Sequence, residues 1–356
     1  MGFDVWLENR TPFDAATHVQ LDADGQEVVL VMVSASFETK GQVLEIAKSQ
    51  LPVCFADEPF GDPVRSSNRY EADIALSKPK VDVIVVGRAY APDGKPAEHV
   101  DAGLAVGNLR KILRVTGDRL ETMGGVSRPK PFLTMPLIWE RAFGGTDDDG
   151  NIDLRNPVGI GWKGAKSADP EGRSDLPNIA YAGDDGPDPE PAGFGFVGRG
   201  WQPRLSLAGT YDEAWLADQW PLAPHDFNAL HNLGAPPDQQ FEKLPERSKV
   251  SLVNMTPDGR WNFSLPGLRL PAHLIYADRV ETVTPMPDTV ILEPELKRVT
   301  LKARIAVTLV RNTPRLRGIA LGHVSPVWLN ARRKGKAYFN PRGGDGTLDD
   351  VPVWAP

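Results

Sequence analysis

The chain has 356 residues, 41% of them hydrophobic, with nine Trp, thirteen Phe and a formal charge of −7. That apolar content supplies a core and excludes global disorder. The acidic balance excludes a broad nucleic-acid-binding face, which needs clustered cations to neutralise phosphates.

Residues 1–10 carry neither a basic segment nor an apolar run, so no secretory signal is expected. Residues 28–37 form a β-branched run long enough for a buried strand. Asp22, Asp24 and Gly25 ahead of it supply turn chemistry, which predicts a hairpin of 18–21 with 27–37. Cys54, the only cysteine, reads as a buried apolar residue; it rules out an internal disulfide and suits a reducing compartment. No stretch approaches the ~18 uncharged apolar residues of a membrane span. Together these features read as a soluble, cytoplasmic protein.

Residues 81–90 are a second strong strand, and 100–106 with 111–117 pair around Gly107 and Asn108. From 144 to 191 periodicity gives way to Gly, Pro, Asp and Asn, a loop of unusual length that is either docked on the sheets or partly mobile. Residues 211–219 suit a short helix with Thr210 as N-cap and Glu213 completing a capping box. Asp226 is expected to cap one or two further turns. Strand character returns at 250–255 and 260–265, which form a hairpin around the turn Thr256 to Gly259, then at 279–283, 289–292, 298–310 and 319–324. The expected fold class is mainly β: an antiparallel β-sandwich or barrel-like halves, with long ordered Gly/Pro-rich loops and few short helices. The expected organisation is a β-rich region 1–143, a Gly/Pro/Trp-rich loop and short-helix region 144–244 packed on the sheets, a β-rich region 245–325 and a polar tail 326–356.

Candidate chemistry is sparse. Gly193, Gly195 and Gly198 match G-x-G-x-x-G, with Asp212 or Glu213 near the spacing of a ribose-binding acid. A dinucleotide fingerprint follows a strand and opens a helix, whereas here Pro189 and Pro191 precede it and Pro203 follows. It reads as a glycine-rich turn. Asp147, Asp148, Asp149 and Asp153 invite a calcium loop, but counting from Gly150 puts Gly145 and Asn156 at ligand positions. His18, His99, His225, His231, His273 and His323 show no zinc spacing, and there is no G-x-S-x-G serine. No catalytic residue, metal or cofactor is assigned, and the protein is expected not to be an enzyme. Arg332, Arg333, Lys334 and Lys336, near Tyr338 and Phe339, read as a solvated basic face, with docking onto the acidic body as a second possibility.

The most distinctive stretch is 201–240. It holds Trp201, Pro203 and Arg204, then Gly209, Thr210, Tyr211, Asp212 and Trp215, then Pro221, Pro224 and Asp226, and closes on Asp238 and Gln239. Aromatics alternate there with residues that fix turns and unusual backbone angles. With Asn9, Thr11, Pro12 and Phe13, with Glu71, Asp73 and Asp82, and with Arg155, Asn156 and Pro157, it resembles the bacterial family called domain of unknown function 2169. Members of that family work as adaptors or chaperones for type VI secretion effectors, and the resemblance covers roughly residues 5–305.

The resemblance implies a non-enzymatic adaptor that binds an effector or spike-tip domain and aids its loading onto the secretion spike. It implies neither nucleic-acid binding nor membrane insertion. The motif residues read as structural staples or partner contacts, with any exposed members of Trp201, Tyr211, Trp215 and Trp220 suited to hot-spot contacts. The alternative is a carbohydrate- or peptidoglycan-active protein using carboxylates within 201–226. That chemistry requires two carboxylates roughly 5–10 Å apart in a cleft.

Overall fold

The computed structural model describes residues 5–41, 43–122, 124–147, 149–162, 174–184, 186, 188–310, 315–340, 343–348 and 351–355. Its spine is the strand Glu27–Lys40, buried on both faces over most of its length. Val29, Val31, Val33, Ala35 and Phe37 face the main core, while Leu30, Met32, Ser34 and Ser36 face the opposite way. The alternation follows from the two-residue period of a strand. Each fully buried apolar side chain here contributes roughly 1.5–3 kcal/mol of transfer free energy.

The predicted hairpin forms, with Asp14–Leu21 pairing antiparallel to Glu27–Lys40. Its turn is set by Asp22, whose Oδ1 accepts from the N–H groups of Asp24 and Gln26 at 3.0 and 2.8 Å, and by Gly25 at φ 72°. The central sheet runs in the order Gln240–Phe241, Val81–Val85, Pro287–Glu293, Arg298–Thr308, Glu27–Lys40, Asp14–Leu21, with Val43–Ile46 paired to the end of the spine. Strands from the 1–143 and 245–325 stretches therefore share one sheet. Most pairings are antiparallel; Val81–Val85 with Pro287–Glu293 is parallel.

A five-stranded antiparallel sheet packs over the core face, ordered Ile179–Tyr181, Leu109–Thr116, His99–Val106, Lys249–Val253, Arg260–Ser264. A third sheet carries Trp6–Asn9, Leu316–Leu321, Ala272–Tyr276 and Val280–Val283, and closes one end of the same core. Trp6 lies so close to Gly318 that a Cβ there would meet the indole at 2.0 Å, which requires glycine. No sheet among the described strands closes into a barrel. The fold is mainly β, as its alternating strands and turn-rich composition predict.

Residues 326–356, expected as a polar tail, include helix α2, Pro326–Arg333. Ser325 caps it by accepting from the Trp328 N–H at 3.2 Å, and Trp328 is 1% exposed against Ile275, Ala320 and Val324. Farther on, Trp354–Ala355 pairs with Gly267–Leu268. One buried tryptophan in an eight-residue helix is enough to dock it, and composition averages hide that.

Candidate functional site

The face of the central sheet turned away from the main core is strongly polar. Arg298, Thr300, Lys302 and Arg304 alternate along one strand, Thr289 and Glu293 lie on the adjoining strand, and Asp82 on the one beyond it. Buried charges persist only when paired and hydrogen-bonded. The adjoining strand and the segment 47–76 supply the partners. Asp73 accepts from Lys302 Nζ at 2.6 Å and from the Cys54 N–H at 2.8 Å. Glu293 binds Arg298 at 2.6 and 2.8 Å and accepts from the Tyr70 hydroxyl at 2.6 Å. Burial, then Glu293, pushes the Tyr70 phenol up to about 12. Cys54 is buried, and desolvation raises its thiol pKa.

On this layer the run 201–240 makes an excursion with two legs and an outer lobe. The outbound leg leaves the sheet at Phe194, whose carbonyl accepts from the Val85 N–H at 3.0 Å. The return leg ends at Gln239, which is fully buried and donates through Nε2 to the Val83 and Phe194 carbonyls at 2.6 and 3.0 Å. Asp82 holds the same leg by accepting from the Gly234 and Ala235 N–H groups and from Lys78 Nζ. Arg204, 3% exposed, clamps the two legs together. It binds Glu71 at 2.5 Å, reaches the Val197 carbonyl, and donates through Nε to the His231 carbonyl at 2.9 Å. His231 answers by donating Nδ1–H to the Arg204 carbonyl at 2.9 Å, and burial lowers its pKa.

Beyond this clamp the lobe projects outward. Asp226 accepts from the Thr210 N–H at 2.9 Å and hydroxyl at 2.8 Å, and those bonds lower its pKa. Gly209, at φ 87°, lets Pro224 and Asp226 approach within about 3 Å of where a Cβ would stand. Helix α1, Glu213–Asp218, is capped by Asp212 rather than by Thr210. Thr210 is already engaged with Asp226, and Asp212 has the extended backbone of an N-cap. The next turn, Ala229–Asn232, is likewise capped by Asn228 and not by Asp226. Trp215 folds inward, donating Nε1–H to the Leu222 carbonyl at 2.9 Å and meeting the Tyr211 ring edge-on at 4.7 Å between centroids. Tyr211, Leu216 and Trp220 remain 59%, 61% and 65% exposed.

The other motif positions act on the chain's own framework. Asn156 is fully buried and donates Nδ2–H to the Trp139 and Phe143 carbonyls at 2.8 and 2.9 Å. Arg155 pairs with Asp153 and Asp188, while the Pro157 carbonyl accepts from the Thr146 hydroxyl. Gly193 and Gly198 allow Trp139 and Trp201 to pack on bare backbone, where a Cβ would meet the indoles at 2.8 and 2.6 Å. The two indoles stand edge to face at 6.0 Å. That packing accounts for the glycine spacing. Pro221 is exposed and Pro224 buried in the chain that closes the lobe, and Pro203 precedes the turn Arg204–Leu207.

Sequence reasoning missed Lys111. It lies on the core face of Leu109–Thr116, 4% exposed, 2.9 Å from Asp238 and 5.3 Å above the Tyr181 ring. Burial pulls its amine down to about 8, against the attraction of Asp238. Tyr181 also donates to Asp238, at 3.1 Å, and burial raises its phenol. An open groove of about 700 Å³ runs past Asp238 between the hairpin tip at Gly107–Arg110 and residues 237–245. A lysine on the buried register of an amphipathic strand was the available signal.

Asp147 is engaged with Asn151, and Asp148 lies outside the described residues. Among the described residues no group of three or more His, Cys, Asp or Glu is placed to hold a metal. Arg332 lies over the rings of Trp6 and Trp328 and pairs with Glu8 at 3.0 Å, so this part of the basic cluster is docked on the body. No described helix is long and apolar enough to cross a membrane.

The fold and its excursion define a mainly β protein whose central sheet carries a loop layer fixed by buried ion pairs. The chain belongs to the family described as an uncharacterized protein conserved in bacteria (DUF2169), whose model matches residues 24–304. The motif at Asn9, Thr11, Pro12 and Phe13 lies ahead of that match. No curated protein and no solved structure matches the chain.

Proposed function

We propose that this protein is a non-enzymatic cytoplasmic adaptor or chaperone that binds a type VI secretion effector or spike-tip domain and aids its loading onto the spike. The observation that carries the reading is the outer lobe. It presents three large apolar side chains to solvent from a backbone held by the Asp226–Thr210 clasp, the Asp212 cap and the Arg204 clamp. A pre-ordered aromatic surface loses little conformational entropy on binding, which favours affinity. Two of the four carboxylates of the same stretch are committed to backbone: Asp212 holds a helix start and Asp226 a turn. That commitment weighs against the carbohydrate-active alternative.

The test is co-expression with the spike and effector proteins encoded by neighbouring genes, followed by size-exclusion chromatography. An adaptor co-elutes stoichiometrically with one of them and raises its soluble yield. If none co-elutes and none is stabilised, the adaptor reading fails.

A further inference from the structure

We infer that the lobe docks a basic, apolar-tipped segment of its partner: a short stretch with large apolar side chains flanked by Lys or Arg. The inference rests on the adaptor reading and adds the chemistry of the segment recognised.

Exposed Tyr211, Leu216 and Trp220 form the apolar centre. Around them the charge is of one sign. From 205 to 242 the chain contains no Lys or Arg, while Asp212, Glu213, Asp218 and Asp226 fall within the lobe. Glu213 and Asp218 are exposed and have no hydrogen-bond or ion-pair partner among the described residues. Leu222 seats on the neighbouring hairpin turn, 3.6 Å from where a Cβ of Gly25 would stand, and the turn residue beside Gly25 is exposed Asp24. The cations at the base of the legs are spoken for: Arg204 binds Glu71, and Arg199 faces Asp57 and Glu71. Exposed apolar side chains interspersed along the chain with the unpartnered carboxylates of Glu213 and Asp218 fit a partner of opposite sign. The centre supplies affinity, and the rim supplies orientation and rejection of acidic competitors.

The probe is a fluorescent amphipathic helical peptide of Leu and Lys, compared with its Leu and Glu counterpart, titrated with the full chain and followed by anisotropy. The Leu/Lys peptide binds and the Leu/Glu peptide does not. Leu216→Ser with Trp220→Ser weakens binding by at least about tenfold. Glu213→Gln with Asp218→Asn weakens it by about threefold or more at low salt, and that gap closes as salt is raised. These four side chains are exposed, and neither pair of substitutions removes a cap or clasp, so both variants keep the wild-type melting transition.

Equal binding of the two peptides, or Leu/Lys binding that ignores both double variants, overturns the inference. A neighbouring effector that co-elutes with the same affinity for all variants also overturns it and leaves the adaptor reading standing. Lobe-dependent binding of the Leu/Lys peptide with no co-eluting spike or effector protein would remove the adaptor reading alone.

Discussion

The legs of the 201–240 excursion and its outer lobe draw on the same residue types and use them in opposite directions. In the legs, Arg204 and Gln239 turn inward and satisfy carbonyls and carboxylates that the sheet would otherwise bury unpaired. In the lobe, Asp212 and Asp226 are spent on its own backbone, while Leu216 and Trp220 face water. Buried polar groups are costly when a partner is lost, whereas exposed apolar side chains cost the isolated chain little. The difference separates residues that hold the scaffold from residues free to bind.

The largest expected effect tests the legs. Arg204→Ala strands Glu71 in the interior, so the unfolding free energy falls by about 3–5 kcal/mol, read from urea midpoints. Replacing both partners, Arg204→Met with Glu71→Leu, recovers much of that loss, because no buried charge is then left alone. A single variant as stable as wild type would show that the clamp is ornamental.

Next comes Lys111, whose folded-state amine titrates near pH 8, below the value of about 10.4 in an unfolded chain. Between those values the unfolded state binds more protons, so stability from this group rises as pH increases, and below about pH 8 the whole penalty is present. Comparing wild type with Lys111→Met cancels the other titrations. The comparison should move in favour of wild type by on the order of 3 kcal/mol from pH 7 to pH 10. A pH-independent difference would mean the amine is not desolvated.

Asn156→Ala leaves the buried Phe143 carbonyl without its donor and the Trp139 carbonyl with the Ala142 N–H alone, and costs about 1–3 kcal/mol in thermal or urea unfolding. The smallest effect on stability belongs to the lobe: Trp220→Ser stays within about 0.5 kcal/mol of wild type while abolishing co-elution with the partner. A large loss of stability there would place Trp220 among the staples.

Much of the strand architecture was legible because alternation is a local signal. The hairpins at Asp22 to Gly25, Gly107 to Asn108 and Thr256 to Gly259 combine turn residues with flanking β-branched runs, and each appears where expected. The candidate site was legible as an unusual motif and illegible as geometry. Arg298, Thr300, Lys302 and Arg304 alternate with Val299, Leu301 and Ala303, the pattern of a strand with one wet face. That face is instead covered by residues 47–76 and by the excursion, because Asp73 and Glu293 neutralise it. Lys302 with Asp73 and Tyr70 with Glu293 meet across more than two hundred residues, which leaves no local trace. The caps show the same limit on a smaller scale: Thr210 and Asp212 both suit an N-cap, and the choice fell to Asp212 because Asp226, distant in sequence, engages Thr210.

The sequence by itself determined a mainly β chain rich in turns, and marked 201–240 as a stretch shaped by specific contacts. Period, turn chemistry and composition act within a few residues, so they survive in a linear reading. Only the tertiary structure decided which polar residues would be buried in pairs and which apolar ones would be left outside. Burial depends on what covers a surface, and the covering segments come from remote parts of the chain. Arg204 became a clamp and Trp220 an exposed contact for that reason.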